Sequence, residues 1–146
     1  MIKLANNQKD LEKIYRLRYE VLRKPWGQSF ESAKDNLDEV SFNAFAEIND
    51  ECVACGRLDI IDEQTAQIRY MAVHPDYRGK QWGSSILVYL EGIAKQKGIS
   101  KIFLHARENS TTFYLKNGYK IIAPSYLLFG VIQHYRMEKE IKSFSS

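Results

Sequence analysis

A mixed α/β sheet flanked by helices is the fold class this sequence predicts, and three observations predict it. Strand-like segments crowd the first half of the chain and then alternate with helical ones, as in a sheet covered by helices. Residues 68–90, IRYMAVHPDYRGKQWGSSILVYL, pass from a strand through a glycine-containing loop into a helical period. Residues 10–22 carry Leu11, Ile14, Tyr15, Leu17, Val21 and Leu22 at close to helical spacing. A chain of 146 residues is long enough for one domain with a proper core, taken as residues 1–146.

In chain order, Met1-Ile2-Lys3-Leu4 reads as a first strand. The helix over 10–22 ends at Lys24-Pro25-Trp26-Gly27, because proline biases its predecessor away from helix. Residues 25–38 have weak periodicity and are expected to form a loop with a short helical turn. A strand is expected over 40–48, with Asn49-Asp50 turning the chain into a second strand, 52–61. Asp62-Glu63 makes another turn, into a strand over 65–73. Trp82, Ile86, Tyr89, Leu90 and Ile93 share one face of a helix ending near Gly98. A central strand, 101–106, precedes a short helix capped by Asn109 or Ser110 and stopped at Gly118. Residues 119–123 and 134–141 are the last two predicted strands.

Hydrophobic content of 45% and charged content of 27% are those of an ordinary globular protein. No apolar run approaches the length of a membrane span, and Met1–Leu4 does not read as an export signal, so a cytoplasmic location is expected. A net charge of +3, with no basic stripe interleaved with aromatics, is too small to indicate nucleic acid. Cys52 and Cys55 form a C-x-x-C. On a regular strand, positions three apart point to opposite faces, and no second pair completes a zinc set, so two small half-buried residues are expected and no metal.

The loop at 74–84 carries the chemistry. Amides at a helix N-terminus lack intrahelical partners, and the helix dipole adds partial positive charge there. Gly79 and Gly83 permit close approach, and Arg78 and Lys80 add full charges. The combination suits a pyrophosphate. Neither the P-loop pattern nor G-x-G-x-x-G is present, which argues against a nucleotide or dinucleotide site.

Arg78-Gly79-Lys80-Gln81-Trp82-Gly83 resembles motif A of the GNAT superfamily of acyl-CoA-dependent N-acyltransferases, with Gln81 where the family has its central glycine. Phe113, Tyr114, Lys116, Gly118 and Tyr119 resemble its motif B, in the right order and spacing. The C-terminal run from Phe129 to Met137 is similar to a Gly-Ile-Pro-His segment of small ElaA-like members, with Gln133 in place of proline, and residues 15–27 fit the same subgroup.

The resemblance implies a GNAT-like fold, a central twisted mixed sheet flanked by helices, and acetyl transfer from acetyl-CoA to the amine of a small molecule or peptide. It implies that the loop from Arg78 through Gly79, Lys80, Gln81, Trp82 and Gly83 to Ser84 holds the pyrophosphate. Backbone groups of Met71, Ala72 and Val73 would pair with the pantetheine arm, and Asn109 could offer its amide to it. Tyr114 stands where the family has its general acid. A phenol of pKa ~10 can donate to a thiolate whose conjugate acid sits near ~8.5. For the base, Glu47, Asp59, His74, His105 and His134 are candidates, with His105 favoured. Arg18 and Arg23 could line the acceptor groove beside Trp26 and His134. Neither cysteine occupies a motif position suited to an acyl-enzyme, so direct attack is expected. The strand-rich C-terminus could serve a homodimer. The alternative reading is a CoA-binding sensor or interaction module without catalysis.

Overall fold

In the computed structural model, which describes residues 1–142, the strands are β1 Ile2–Leu4, β2 Phe42–Ile48, β3 Glu51–Ile60, β4 Thr65–Val73, β5 Lys101–Arg107, β6 Lys120–Leu128 and β7 Ile132–Glu140. The helices are α1 Gln8–Arg18, α2 Trp82–Gln96 and α3 Thr111–Lys116. One sheet runs in the order β1-β2-β3-β4-β5-β7-β6, antiparallel throughout except between β4 and β5. The mixed sheet follows from the connections. The hairpins β2–β3 and β3–β4 need only short turns, whereas a parallel partner for β4 needs the crossover that α2 supplies.

Each face buries one apolar layer. Ile86, Leu87 and Leu90 of α2 pack against Leu58, Ile68, Ile102 and Leu104 on one face. Leu11, Ile14 and Leu17 of α1 pack against Phe45, Cys55 and Ala72 on the other. Asn7 caps α1 by accepting the Asp10 amide at 2.8 Å.

Two bulges, one in β3 and one in β4, set which of their side chains reach which face. Ala46 opposes Ala54 while Glu47 opposes Cys52, so β3 carries an extra residue at Val53. Parity flips there, and Cys52 and Cys55 end up in the same α1-side cluster. That corrects the opposite-face expectation, which assumed an unbroken strand. In β4 the extra residue is Tyr70, at φ 57, opposite Gly56. Ile68 therefore faces α2 and Ala72 faces α1, although an even spacing on a regular strand would put them together. A Cβ at Gly56 would collide with the Met71 sulfur and stand 2.9 Å from Ile86 Cγ2, so only glycine sits easily opposite the bulge.

Three boundaries differ from those read in the sequence. The first helix loosens after Arg18 into a wide π-type turn, Tyr19–Arg23, in which the Lys24 amide closes on the Tyr19 carbonyl. Pro25 follows and has no N–H with which to continue the ladder. Val40 belongs to a 3₁₀ turn and is 79% exposed, so β2 begins at Phe42. The turn is fixed by Asp38, which is tied to two buried arginines. The last hairpin is longer than expected, since β6 continues through Pro124 to Leu128. It is the outermost strand, where proline's missing amide breaks no ladder.

Candidate active site

β4 and β5 pair only at Thr65, Ala66 and Gln67 with Lys101, Ile102 and Phe103. Past that point they part. β5 keeps its partner β7 along its whole length, from Lys101–Glu140 to Arg107–His134, and β4 stays on β3. A cleft of about 1130 Å³ opens between them. The β4 edge from Ile68 to Val73 has no strand on that side, so its backbone groups, those of Met71, Ala72 and Val73 included, border the cleft.

The loop following β4 meets one end of the cleft. A 3₁₀ turn, Pro75–Tyr77, leads through Gly79, at φ 76, to Gln81, at φ 70. Gln81 takes the left-handed conformation that glycine adopts most easily, so the departure from motif A is accommodated with the backbone intact. The first closure of α2 is the Ser85 amide on the Gln81 carbonyl at 3.0 Å, so the amides of Trp82, Gly83 and Ser84 precede the ladder as free donors. Gly83 is pressed against Phe113, whose Cζ would lie 3.0 Å from an added Cβ. Arg78, Gly79, Gln81, Trp82, Gly83 and Ser84 line the cleft. Lys80 is not among the lining residues, and its ammonium sits 5.7 Å over the Tyr77 ring.

Tyr114 lies on the α2 side, 7% exposed, with its ring edge-on to Phe113 and Tyr119. Its hydroxyl makes no hydrogen bond among the described residues, and the side chain lines the cleft. Burial pushes the phenol well above its ordinary range, and the Arg107 guanidinium pulls it partly back. The phenol therefore keeps its proton through the neutral range. Asn109 also lines the cleft, from the turn Glu108–Ser110. Ser110 takes the N-cap position of α3 without a capping bond, so neither residue caps the helix as expected.

The opposite wall is built by the α1 face. His105 alternates with the core-facing Leu104 and Ala106. Its Nδ1 is buried without a partner, and burial, then Arg136 and Arg69, lower its pKa below 6.5. His134 is 4% exposed and stacks on Tyr126, with ring centroids 4.4 Å apart. Its Nδ1 lies 3.0 Å from the Ile132 carbonyl. A carbonyl only accepts, so the neutral ring carries its hydrogen there and Nε2 has a free lone pair. Burial holds this imidazole below 6.5 as well, against the Ile132 bond. Trp26 lines the same wall.

Other sequence candidates lie elsewhere. Arg18 is 1% exposed and is not an acceptor-groove residue. Its guanidinium binds Asp38 at 3.0 Å and Asn43 at 2.9 Å, an inward-facing role that a basic helix face did not suggest. Glu47 is held by Lys3 and Lys13, Asp59 by Arg57, and His74 accepts the Asp76 amide; none of the three lines the cleft. Sequence reasoning missed Arg69, Arg107 and Tyr126. Extending the alternation Phe103, His105 by one step places Arg107 on the same face, a signal that was present.

The sequence profile of the acetyltransferase (GNAT) family matches residues 11–119. The chain belongs to that family. It is 26% identical over 137 residues to an uncharacterized N-acetyltransferase, YjcF, of Bacillus subtilis, covering 94% of this chain and 97% of that one. Its fold is similar to that of Escherichia coli ElaA, with a TM-score of 0.79 at 21% identity over 96% of this chain and 100% of that one. It is also similar to an aminoglycoside 6'-N-acetyltransferase solved with coenzyme A, with a TM-score of 0.80 at 18% identity over 96% of both chains. Among the described residues no helix is long and apolar enough to cross a membrane, and no group of three or more His, Cys, Asp or Glu side chains could hold a metal ion.

Proposed function

We propose that this protein transfers an acetyl group from acetyl-CoA to a primary amine of a small molecule or peptide, by direct attack of the amine on the thioester. The observation that carries the reading is the parted β4–β5 edge, with a protonated phenol on one wall and two neutral imidazoles on the other. Acetyl-CoA, when bound, supplies the activated acyl group.

The chain's own residues have four tasks. The α2 amides and Arg78 hold the pyrophosphate. The open edge of β4 offers main-chain hydrogen bonds to an amide-bearing arm, as a sheet edge does to an added strand. The Tyr114 hydroxyl, with no protein partner, donates to the departing sulfur. On the far wall His134, through its free Nε2, and His105 are positioned to take the proton of the incoming ammonium. His134 is the better-defined acceptor, because its tautomer is fixed by the Ile132 carbonyl.

Direct attack is supported by the placement of both cysteines in the α1-side core, away from the cleft walls. Trapping an acetylated Cys52 or Cys55 during turnover would overturn it. An amine acceptor is consistent with relatives described as a spermidine N(1)-acetyltransferase and an aminoglycoside 6'-N-acetyltransferase. We also propose self-association through the outer strand β6, which exposes Ile121, Ile122 and Leu127; sedimentation as a monomer at high concentration would refute this.

The test of the activity is release of free thiol from acetyl-CoA on addition of a panel of primary amines. Amine-dependent release supports transfer. Bound acetyl-CoA without release for any amine would leave the non-catalytic CoA-binding reading in its place.

A further inference from the structure

The acceptor wall of the cleft is cationic and contains no carboxylate. Arg23, Arg69 and Arg107 all line it, and no aspartate or glutamate does. Tyr126 lines the same wall, and the positive charge of all three guanidiniums favours its ionised form against the effect of burial. They stand on the α1 face of the sheet, with the turn that follows α1. The amide cradle of α2 and Phe113 stand on the other face.

Three other arginines, two of them buried, each have a close carboxylate partner. Arg18 and Arg57 are each neutralised by Asp38, at 3.0 and 2.9 Å, and Arg136 by Glu138 at 2.8 Å. Arg23 and Arg107 have no carboxylate within 4.0 Å among the described residues. Arg23 donates Nε to the Ser32 carbonyl at 3.1 Å and Nη1 to Leu22 at 3.2 Å. Arg107 donates Nη2 to the same Leu22 carbonyl at 3.0 Å. Arg69 donates to the Tyr70 hydroxyl at 3.2 Å, and its nearest carboxylate, Asp35 at 3.9 Å, already accepts from that hydroxyl. Arg23 and Arg107, half-buried, mutually repelling and without a counter-charge, are costly, and Arg69 adds a charge that Asp35 offsets only at 3.9 Å. Each also keeps N–H donors unspent, in the fork geometry suited to a carboxylate.

We propose that Arg23, Arg69 and Arg107 form a subsite for a carboxylate on the acceptor itself, so that the acceptor is a small primary amine bearing a carboxylate, such as a free amino acid, and not a polycation. This rests on the acetyl-transfer reading, and it places the acceptor's amine toward His134 and its anion on the arginines. A polyamine or aminoglycoside would bring further positive charge to a wall with nothing to receive it.

The test is calorimetric titration of the CoA-loaded protein with alanine, leucine, phenylalanine and glutamate, with the carboxamides of the first three, and with spermidine. At least one carboxylate is expected to bind about tenfold or more tighter than its carboxamide, the ratio that ~1.4 kcal/mol gives. Arg107→Gln and Arg23→Gln should erase that preference while CoA affinity, which reports the fold, stays at the wild-type value. Equal or better binding of the carboxamides or spermidine, or no binding by any carboxylate, overturns the proposal. Thiol release from acetyl-CoA on the same panel separates the two readings, because carboxylate-selective binding without release keeps the subsite and refutes the transfer.

Discussion

Replacing Tyr114 by phenylalanine removes one oxygen from the site and almost nothing from the fold. The ring is buried between Phe113 and Tyr119, and both edge-on contacts survive the change. The hydroxyl has no protein hydrogen bond to lose, so the variant should unfold within about 0.5 kcal/mol of the parent. At this chain length that moves the midpoint by about 1–2 °C. Acetyl-CoA affinity should also hold, because the loop proposed to hold the pyrophosphate is untouched. Turnover should not. Loss of a positioned proton donor costs on the order of 10²–10³ in kcat, or ~2.7–4 kcal/mol of barrier. Thiol release at saturating acetyl-CoA reads kcat, calorimetry reads the affinity and thermal denaturation reads the fold. A fall of less than about threefold in kcat, with affinity and midpoint unchanged, would refute the role assigned to Tyr114.

The neutral imidazoles imply an acid limb in kcat/KM. Their pKa values lie below the ordinary 6.5, so the limb should fall below pH 6.5, and His134→Gln should remove more activity than His105→Gln; a limb centred above pH 7 contradicts this. Asp38→Asn strips the buried Arg18 of its counter-charge and Arg57 of one of its carboxylates, Asp35 and Asp59 remaining, which should cost about 3–5 kcal/mol in denaturant unfolding, whereas a loss under 1 kcal/mol would show that the network is not structural. Gln81→Gly relieves left-handed strain at φ 70 against a smaller gain of chain entropy in the unfolded state. The net should be about 0.5 kcal/mol of added stability, with acetyl-CoA affinity kept or improved; a loss of both would mean the Gln81 side chain itself contributes.

Much of the site was legible because it depends on local chemistry. A strand, a loop with Gly79 and Gly83 and a helix start can be read from residue types alone, as can Phe113 and Tyr114 on the next short helix. What was not legible depends on register. The extra residues at Val53 and Tyr70 reverse the facing of the rest of their own strands, which is why Cys52 and Cys55 converge and why Ile68 and Ala72 face opposite sides. The parting of β4 from β5 arises from β5 preferring β7, a choice between distant segments that no local pattern reveals. The extension of β6 through Pro124 was hidden because proline usually ends a strand, and only its place at the sheet edge makes it harmless. Tyr126, which stacks on His134, followed from that extension.

As proposed above, the gap between β4 and β5 receives acetyl-CoA. Calorimetric titration with acetyl-CoA, with ATP as the control, tests it most directly. A single micromolar site for acetyl-CoA, weakened by Arg78→Ala and with no comparable affinity for ATP, is the expected result. Absence of binding at millimolar acetyl-CoA, or equal affinity for ATP, would contradict it.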